Sequence, residues 1–132
     1  MLEMGMDHGS EREQIDKKII DLQLVAPLLT HCQTEVAAVK QLVLTTARPR
    51  DEWCDIALKA PLCKYFTSEM CGRVVVRCVQ VLESARFVGD HGSIKRYYRN
   101  VRLFMLYRGT SQIHQINIVK QMQRRRSDES GA

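Results

Sequence analysis

Leu22, Val25, Leu29, Cys32, Val36, Val39, Val43 and Thr46 follow one another at alternating spacings of 3 and 4. A strand turns its side chains over every second residue, so this run cannot line one face of a sheet. A helix closes every 3.6 residues and stacks all of these positions on one narrow stripe. Such a seam needs a second helix against it. The spacing therefore predicts a long helix over 22–47 inside an all-α fold. Pro27 fits its first turn, where a missing N–H costs little. Pro49 disfavours the α conformation at Arg48 and is expected to end it.

The remaining chain reads in the same way. A second helix is predicted over 51–86, with Asp51 as its cap and Trp53, Ile56, Ala57 and Ala60 as a first stripe. Pro61 either kinks it or starts its main part. Leu62, Phe66, Met70, Val74, Cys78 and Val81 or Leu82 then continue the apolar face. Val74-Val75-Val76 is too brief for a strand against that period. Gly89 and Gly92 mark a turn, and Ser93 offers an N-cap for a third helix over 94–107, with Ile94, Tyr98, Val101 and Met105 on one face. Gly109 suits a helix end that needs positive φ. Thr110 or Ser111 then caps a fourth helix over 111–124, which Ile113, Ile116 and Val119 or Lys120 carry along a stripe. The N–H groups at that start, beside two hydroxyls, make a ready site for a phosphate or carboxylate. Residues 1–10 hold two glycines and little pattern, and residues 123–132 carry Arg124-Arg125-Arg126 among polar residues. Both ends are expected to be disordered. The architecture predicted for 11–122 is an antiparallel four-helix bundle with short loops.

At 132 residues the chain is one domain, and its 45% apolar content is enough for a core. A net charge of +5 permits anionic partners. Nucleic acid is not expected, because no aromatic-rich RNA motif or zinc-finger spacing occurs. Cys32, Cys54, Cys63, Cys71 and Cys78 are odd in number and form no C-x-x-C, which reads as reduced thiols. His8, His31, His91 and His114 form no i, i+4 pair, so no metal is expected. No apolar run approaches the ~20 residues that span a bilayer. The start lacks the pattern of a signal peptide. A cytoplasmic protein without membrane contact is the expectation.

Several short motifs converge on one family. Ile-Lys-Arg-Tyr-Tyr-Arg-Asn-Val-Arg-Leu from Ile94, then Tyr-Arg-Gly-Thr-Ser-Gln-Ile from Tyr107, resembles the C-terminal signature of the acyl-CoA dehydrogenases. That signature runs V-E-R-x-Y-R-D-A-R-I, four residues, then E-G-T-S-[EQ]-I. Cys63-Lys64-Tyr65-Phe66 resembles A-K-x-F, and Gln80-Val81-Leu82 resembles Q-[IVL]-[LF]-G-G. Glu11-Arg12 resembles the start of E-R-x-x-F-G, with Gln23 at the offset of a family glutamine. The resemblance covers residues 11–122, the C-terminal third of a complete member.

The resemblance implies an FAD-dependent oxidoreductase acting on an acyl thioester. It assigns Arg12 to the flavin pyrophosphate, Gln80 to the dinucleotide loop, and Thr110 and Gln112 to cofactor contacts. It also marks departures. Ile15 and Asp16 replace the F-G pair, and Glu83 and Ser84 replace both loop glycines. Arg108 holds the place of the catalytic carboxylate, and a guanidinium stays protonated and cannot act as a base. The chain alone is therefore expected to bind FAD weakly and to lack dehydrogenase activity. The expected partners are a second copy or a second dehydrogenase subunit. The functional readings are a part of a split flavoprotein oxidoreductase, a non-catalytic oligomeric binding module, or a protein repurposed for a non-redox step on an acyl thioester.

Overall fold

The computed structural model describes residues 1–88 and 92–130, the backbone alone at 84–88 and 92. Helix α1 spans Leu2–Glu11. A small antiparallel hairpin follows, β1 Glu13–Gln14 against β2 Lys17–Lys18, then a 3₁₀ turn at Ile19–Asp21. Helices α2 (Ala26–Asp51), α3 (Lys59–Val88), α4 (Gly92–Phe104) and α5 (Ser111–Ser130) complete the chain. The fold is all-α, as the periodicity requires. Helix α3 is its axis, and α1, α2, α4 and α5 all pack against it.

The core forms where the α2 seam meets α3. Cys32 and Val39 pack with Met70, Val74 and Cys78. Leu29 and Thr46 are buried on the same α2 stripe, while Val36 and Val43, at its edge, are exposed. Glu35 ties the two helices from the side. Its carboxylate accepts from Arg73 Nε at 2.8 Å and from Arg77 Nη1 at 2.6 Å. Burial raises the Glu35 carboxyl, the hydrogen bonds from Arg73 and Arg77 oppose it, and the net shift is downward.

Several expectations are corrected. Residues 1–10 are helical rather than disordered. Met1 and Leu2 pack on the core cluster, and Gly5, His8 and Gly9 are buried. The two glycines are contact points: a Cβ at Gly5 would stand 3.3 Å from Leu29 Cδ2, and one at Gly9 would stand 3.4 Å from Ile20 Cβ. Helix α2 continues through Pro49 to Asp51, since a proline in the last turn removes one bond without ending the helix. The second long helix starts at Lys59, not Asp51. Pro61 falls in its first turn, and residues 52–58 form a connection in which Asp55 Oδ1 accepts the Ala57 N–H. Trp53, expected on the core stripe, is 96% exposed with φ 57°. Helix α4 stops at Phe104, three residues short of expectation, and Gly109 takes φ 96° at the break, as its position suggests. Helix α5 continues to Ser130, across most of the stretch expected to be disordered. The turn at Gly89, the His91 position and the Ser84 side chain lie outside the described residues.

Candidate functional site

Two groups of residues mark the site that the sequence points to, and α3 holds them apart. The first lies at the C-terminal end of α3. Gln80 is exposed on its outer face. Three residues on, Glu83 breaks the helix with φ 59° and ψ 175°. That conformation belongs almost entirely to glycine, because a Cβ crowds the backbone there. A residue with a side chain thus occupies a glycine backbone. Arg12, just past the end of α1, puts its Nε 3.9 Å from Glu83 Oε2.

The second group surrounds the start of α5. Thr110 Oγ1 accepts from the Ile113 N–H at 3.3 Å and caps the helix. Ser111 is buried and donates its hydroxyl to Glu69 Oε1 at 2.5 Å. Of the two hydroxyls foreseen for an anion, Ser111 has spent its proton on Glu69, while Thr110 only accepts and keeps its proton. Gln112 is exposed in the first turn. Arg108 precedes this corner in the left-handed region, φ 54°, with its side chain exposed. Glu69 and Gln80 are eleven residues apart on α3, three turns plus about 20°, so they share a face and stand roughly 16 Å apart along the axis. The four cofactor candidates thus fall at two stations along one helix and do not line one pocket.

Between α3 and α4 lies a groove of about 680 Å³. Gly72, Val76 and Met105 give it an apolar lining, and Arg73, Arg77, Arg99 and Arg102 bring four guanidiniums. Glu35 engages two of these. A smaller cavity of about 240 Å³ sits where α3 meets Phe104 and Tyr107. There Lys64 donates to Ser68 Oγ and to the Phe104 carbonyl, and its ammonium lies 4.8 Å from the centre of the Tyr107 ring.

Sequence reasoning missed three features. His114 lies against the Gly109 backbone with both ring nitrogens buried and no hydrogen-bond partner among the described residues. Its packed position follows from a stripe of Ser111, His114, Ile118 and Gln121 facing the bundle, while Ile113, Ile116 and Val119, expected to carry the helix, face out. The Glu35 bridge had no local signal, since its partners lie 38 and 42 residues away. The Arg12–Glu83 pair is likewise set by tertiary structure alone. Among the described residues, no group of His, Cys, Asp or Glu is arranged to hold a metal ion. Among the described residues, no helix is long and apolar enough to cross a membrane.

A pyrophosphate is disfavoured at the first station as it stands. Glu83 sets a carboxylate at the loop position and draws on the Arg12 guanidinium. The second station keeps an exposed Gln112 beside the capped helix start.

Comparison with known proteins agrees with this architecture. Residues 1–123 match the family model described as acyl-CoA dehydrogenase, C-terminal domain. A subunit of the caffeyl-CoA reductase–Etf complex of Acetobacterium woodii is 30% identical over 117 residues, covering 89% of this chain and 31% of that protein. The 3-(aryl)acrylate reductase of Clostridium sporogenes is 27% identical, with 89% and 31% covered. Butyryl-CoA dehydrogenase from Megasphaera elsdenii superposes with a TM-score of 0.86 at 19% identity, covering 92% of this chain and 31% of that one. The prolyl acyl carrier protein oxidase AnaB gives 0.86 at 21% identity, with 92% and 32% covered. The structural likenesses describe the fold, and the chain spans about a third of the length of each relative. By its five-helix architecture, its signature from Ile94 to Ile113 and the matched residues 1–123, the chain belongs to the acyl-CoA dehydrogenase family through that family's C-terminal domain.

Proposed function

We propose that this chain works as the helical part of a larger flavoprotein oxidoreductase acting on acyl thioesters, and that it neither holds FAD firmly nor turns over substrate by itself. The observation that carries this reading is the placement of Arg12, Gln80, Thr110 and Gln112 at two stations along α3. A dinucleotide is long enough to meet both, and further domains would have to cover it. The relative from Acetobacterium woodii is itself a subunit of a complex. Arg108 in the place of the base argues against proton abstraction by this chain's own residues, since its guanidinium keeps its proton at any working pH. A cytoplasmic setting and a homo-oligomeric or second-subunit partner belong to the same proposal.

A second reading rests on the Arg12–Glu83 pair. It puts a carboxylate beside the Arg12 guanidinium, which suits a binding or assembly module that has given up the cofactor.

The deciding measurement is the visible absorption of the purified chain with added FAD, alone and with candidate partner domains. Flavin retained through gel filtration only in the presence of a partner supports the first reading. A colourless complex supports the second. Acyl-CoA-dependent reduction of an artificial acceptor by the single chain would refute the proposal. The variant Arg108→Glu restores the family carboxylate. If it creates turnover in the assembled complex, the site has kept its geometry.

A further inference from the structure

Two of the five thiols meet across the interface of α2 and α3. Cys32 and Cys78 are both completely buried, and both belong to the central core cluster. Cys32 Sγ donates to the Val74 carbonyl at 3.8 Å. That carbonyl lies one helical turn before Cys78, so the Cys32 sulfur sits over the turn that carries the Cys78 side chain. The Cys78 thiol in turn donates to Cys32. Cys54, Cys63 and Cys71 all reach the surface at least in part. In the closed fold the pair is inert. Burial pushes both thiols up, Cys78 to about 12, so neither forms a thiolate at neutral pH. One side of their cover is the start of α1, where Met1 and Leu2 pack on the same cluster. Helix α1 has ten residues, too few to persist without its contacts, so it opens as a unit.

We infer that Cys32 and Cys78 are a concealed redox pair, oxidised by hydrogen peroxide to an intramolecular disulfide that staples α2 to α3 when α1 opens. Water reaching the pair returns the uncovered thiol to its ordinary acidity. Its thiolate attacks one peroxide oxygen, the O–O bond breaks, and the departing hydroxide takes up a proton as water. A sulfenic acid remains. The facing thiol loses its proton and attacks that sulfur, the S–S bond forms, and the sulfenic oxygen leaves as a second water. Two thiols and one peroxide thus give one disulfide and two waters, the sulfurs losing the two electrons that the peroxide oxygens gain. The facing thiol diverts the sulfenic acid from irreversible oxidation. The bond closes a loop of roughly 45 residues and so restricts the unfolded chain.

Neither flavin nor substrate enters this inference, so it and the proposed function can fail separately. The test exposes the full chain to hydrogen peroxide under native conditions, with Cys54→Ser/Cys63→Ser/Cys71→Ser in parallel. Trypsin puts every cysteine on its own peptide, 19–40 for Cys32 and 78–86 for Cys78, so mass spectrometry identifies the linkage. The triple variant should lose about 2 Da, yield peptide 19–40 joined to 78–86, and revert with dithiothreitol. Its melting temperature should rise by about 10 °C on oxidation. Leu2→Asp, which loosens α1, should speed the linkage by about threefold or more, beyond any rise in the globally unfolded fraction measured in urea. Free thiols at both positions after treatment, sulfinic acid at either, or linkage only between chains would overturn the inference. So would a disulfide that lowers the melting temperature, or a linkage rate that follows global unfolding alone.

Discussion

Replacing Glu83 by glycine is expected to stabilise the protein while removing one of its ion pairs. Glu83 sits at φ 59° and ψ 175°, where a side chain costs on the order of 1–3 kcal/mol and glycine almost nothing. Two effects oppose the gain. Glycine gives the unfolded chain more freedom, worth about 0.4–1 kcal/mol. The Arg12 pair is also lost, but its 3.9 Å separation and side-chain exposures of 51% and 31% place it among surface bridges worth about 0–1 kcal/mol. The balance favours glycine by about 1 kcal/mol. For a chain of this size that is a rise in melting temperature of about 3–6 °C. Glu83→Ala is the control, because it removes the carboxylate and keeps the Cβ. It should melt at or slightly below the wild-type temperature. Thermal unfolding of the three proteins by circular dichroism decides the matter. If alanine stabilises as much as glycine, charge and not backbone geometry governs this position. If glycine destabilises, the ion pair outweighs the strain and the argument is wrong.

Other positions give independent checks. Ile15 is 85% exposed at the hairpin tip with φ 55°, followed by Asp16 at φ 56°, a two-residue turn that favours asparagine. Ile15→Asn should raise the melting temperature by a margin equivalent to about 1 kcal/mol, and an unchanged midpoint would refute the strain at the tip. Gly109→Ala should destabilise, because the new Cβ meets His114 Nε2 at 3.1 Å on a φ of 96°, and urea midpoints measure the loss. Glu35→Gln should destabilise at neutral pH by weakening both arginine contacts. Because the folded Glu35 carboxyl is lowered, its contribution is present above the ordinary carboxylate range and fades as pH falls through the folded value, so wild type and variant should converge in strong acid. A thiol reagent should label exposed Cys54 first, and Cys32 and Cys78 only on unfolding, because both are fully buried and burial, with Cys32 alongside, pushes the Cys78 thiol up to about 12.

What the sequence made legible follows from how locally each feature is encoded. Helix α2 was readable because its stripe repeats at 3 and 4 spacing, and Leu29, Cys32, Val39 and Thr46 are buried on it, although the helix begins at Ala26, after Leu22 and Val25. The α4–α5 break was readable because Gly109 and Thr110 supply the backbone and the cap within two residues. Helix α1 was not. Gly5 and Gly9 read as disorder in isolation, and their use emerges only against Leu29 and Ile20. Trp53 misled for the opposite reason, since an aromatic residue at helical spacing implies burial but the helix begins later. Motif spacing named Arg12, Gln80, Thr110 and Gln112 as candidates. It gave no hint that Arg12 would turn toward Glu83 or that Ser111 would spend its hydroxyl on Glu69, because those partners come from distant segments.

The dependence of every other helix on α3 also orders the steps by which the molecule comes apart and together. Helix α2 reaches α3 across the short connection 52–58, but α1 is separated from the same helix by all of residues 12–58. Loop entropy makes its docking a late event in folding and an early loss in partial opening. When α1 lifts, Leu29 and the outer side of the Cys32–Cys78 core meet water while α2 stays on α3. Amide hydrogens of α1 should therefore exchange well before those at the centre of α3, and a protease should cut the hairpin at residues 13–18 before it cuts within α2 or α3. The amino-terminal helix behaves as a hinged latch on a two-helix spine.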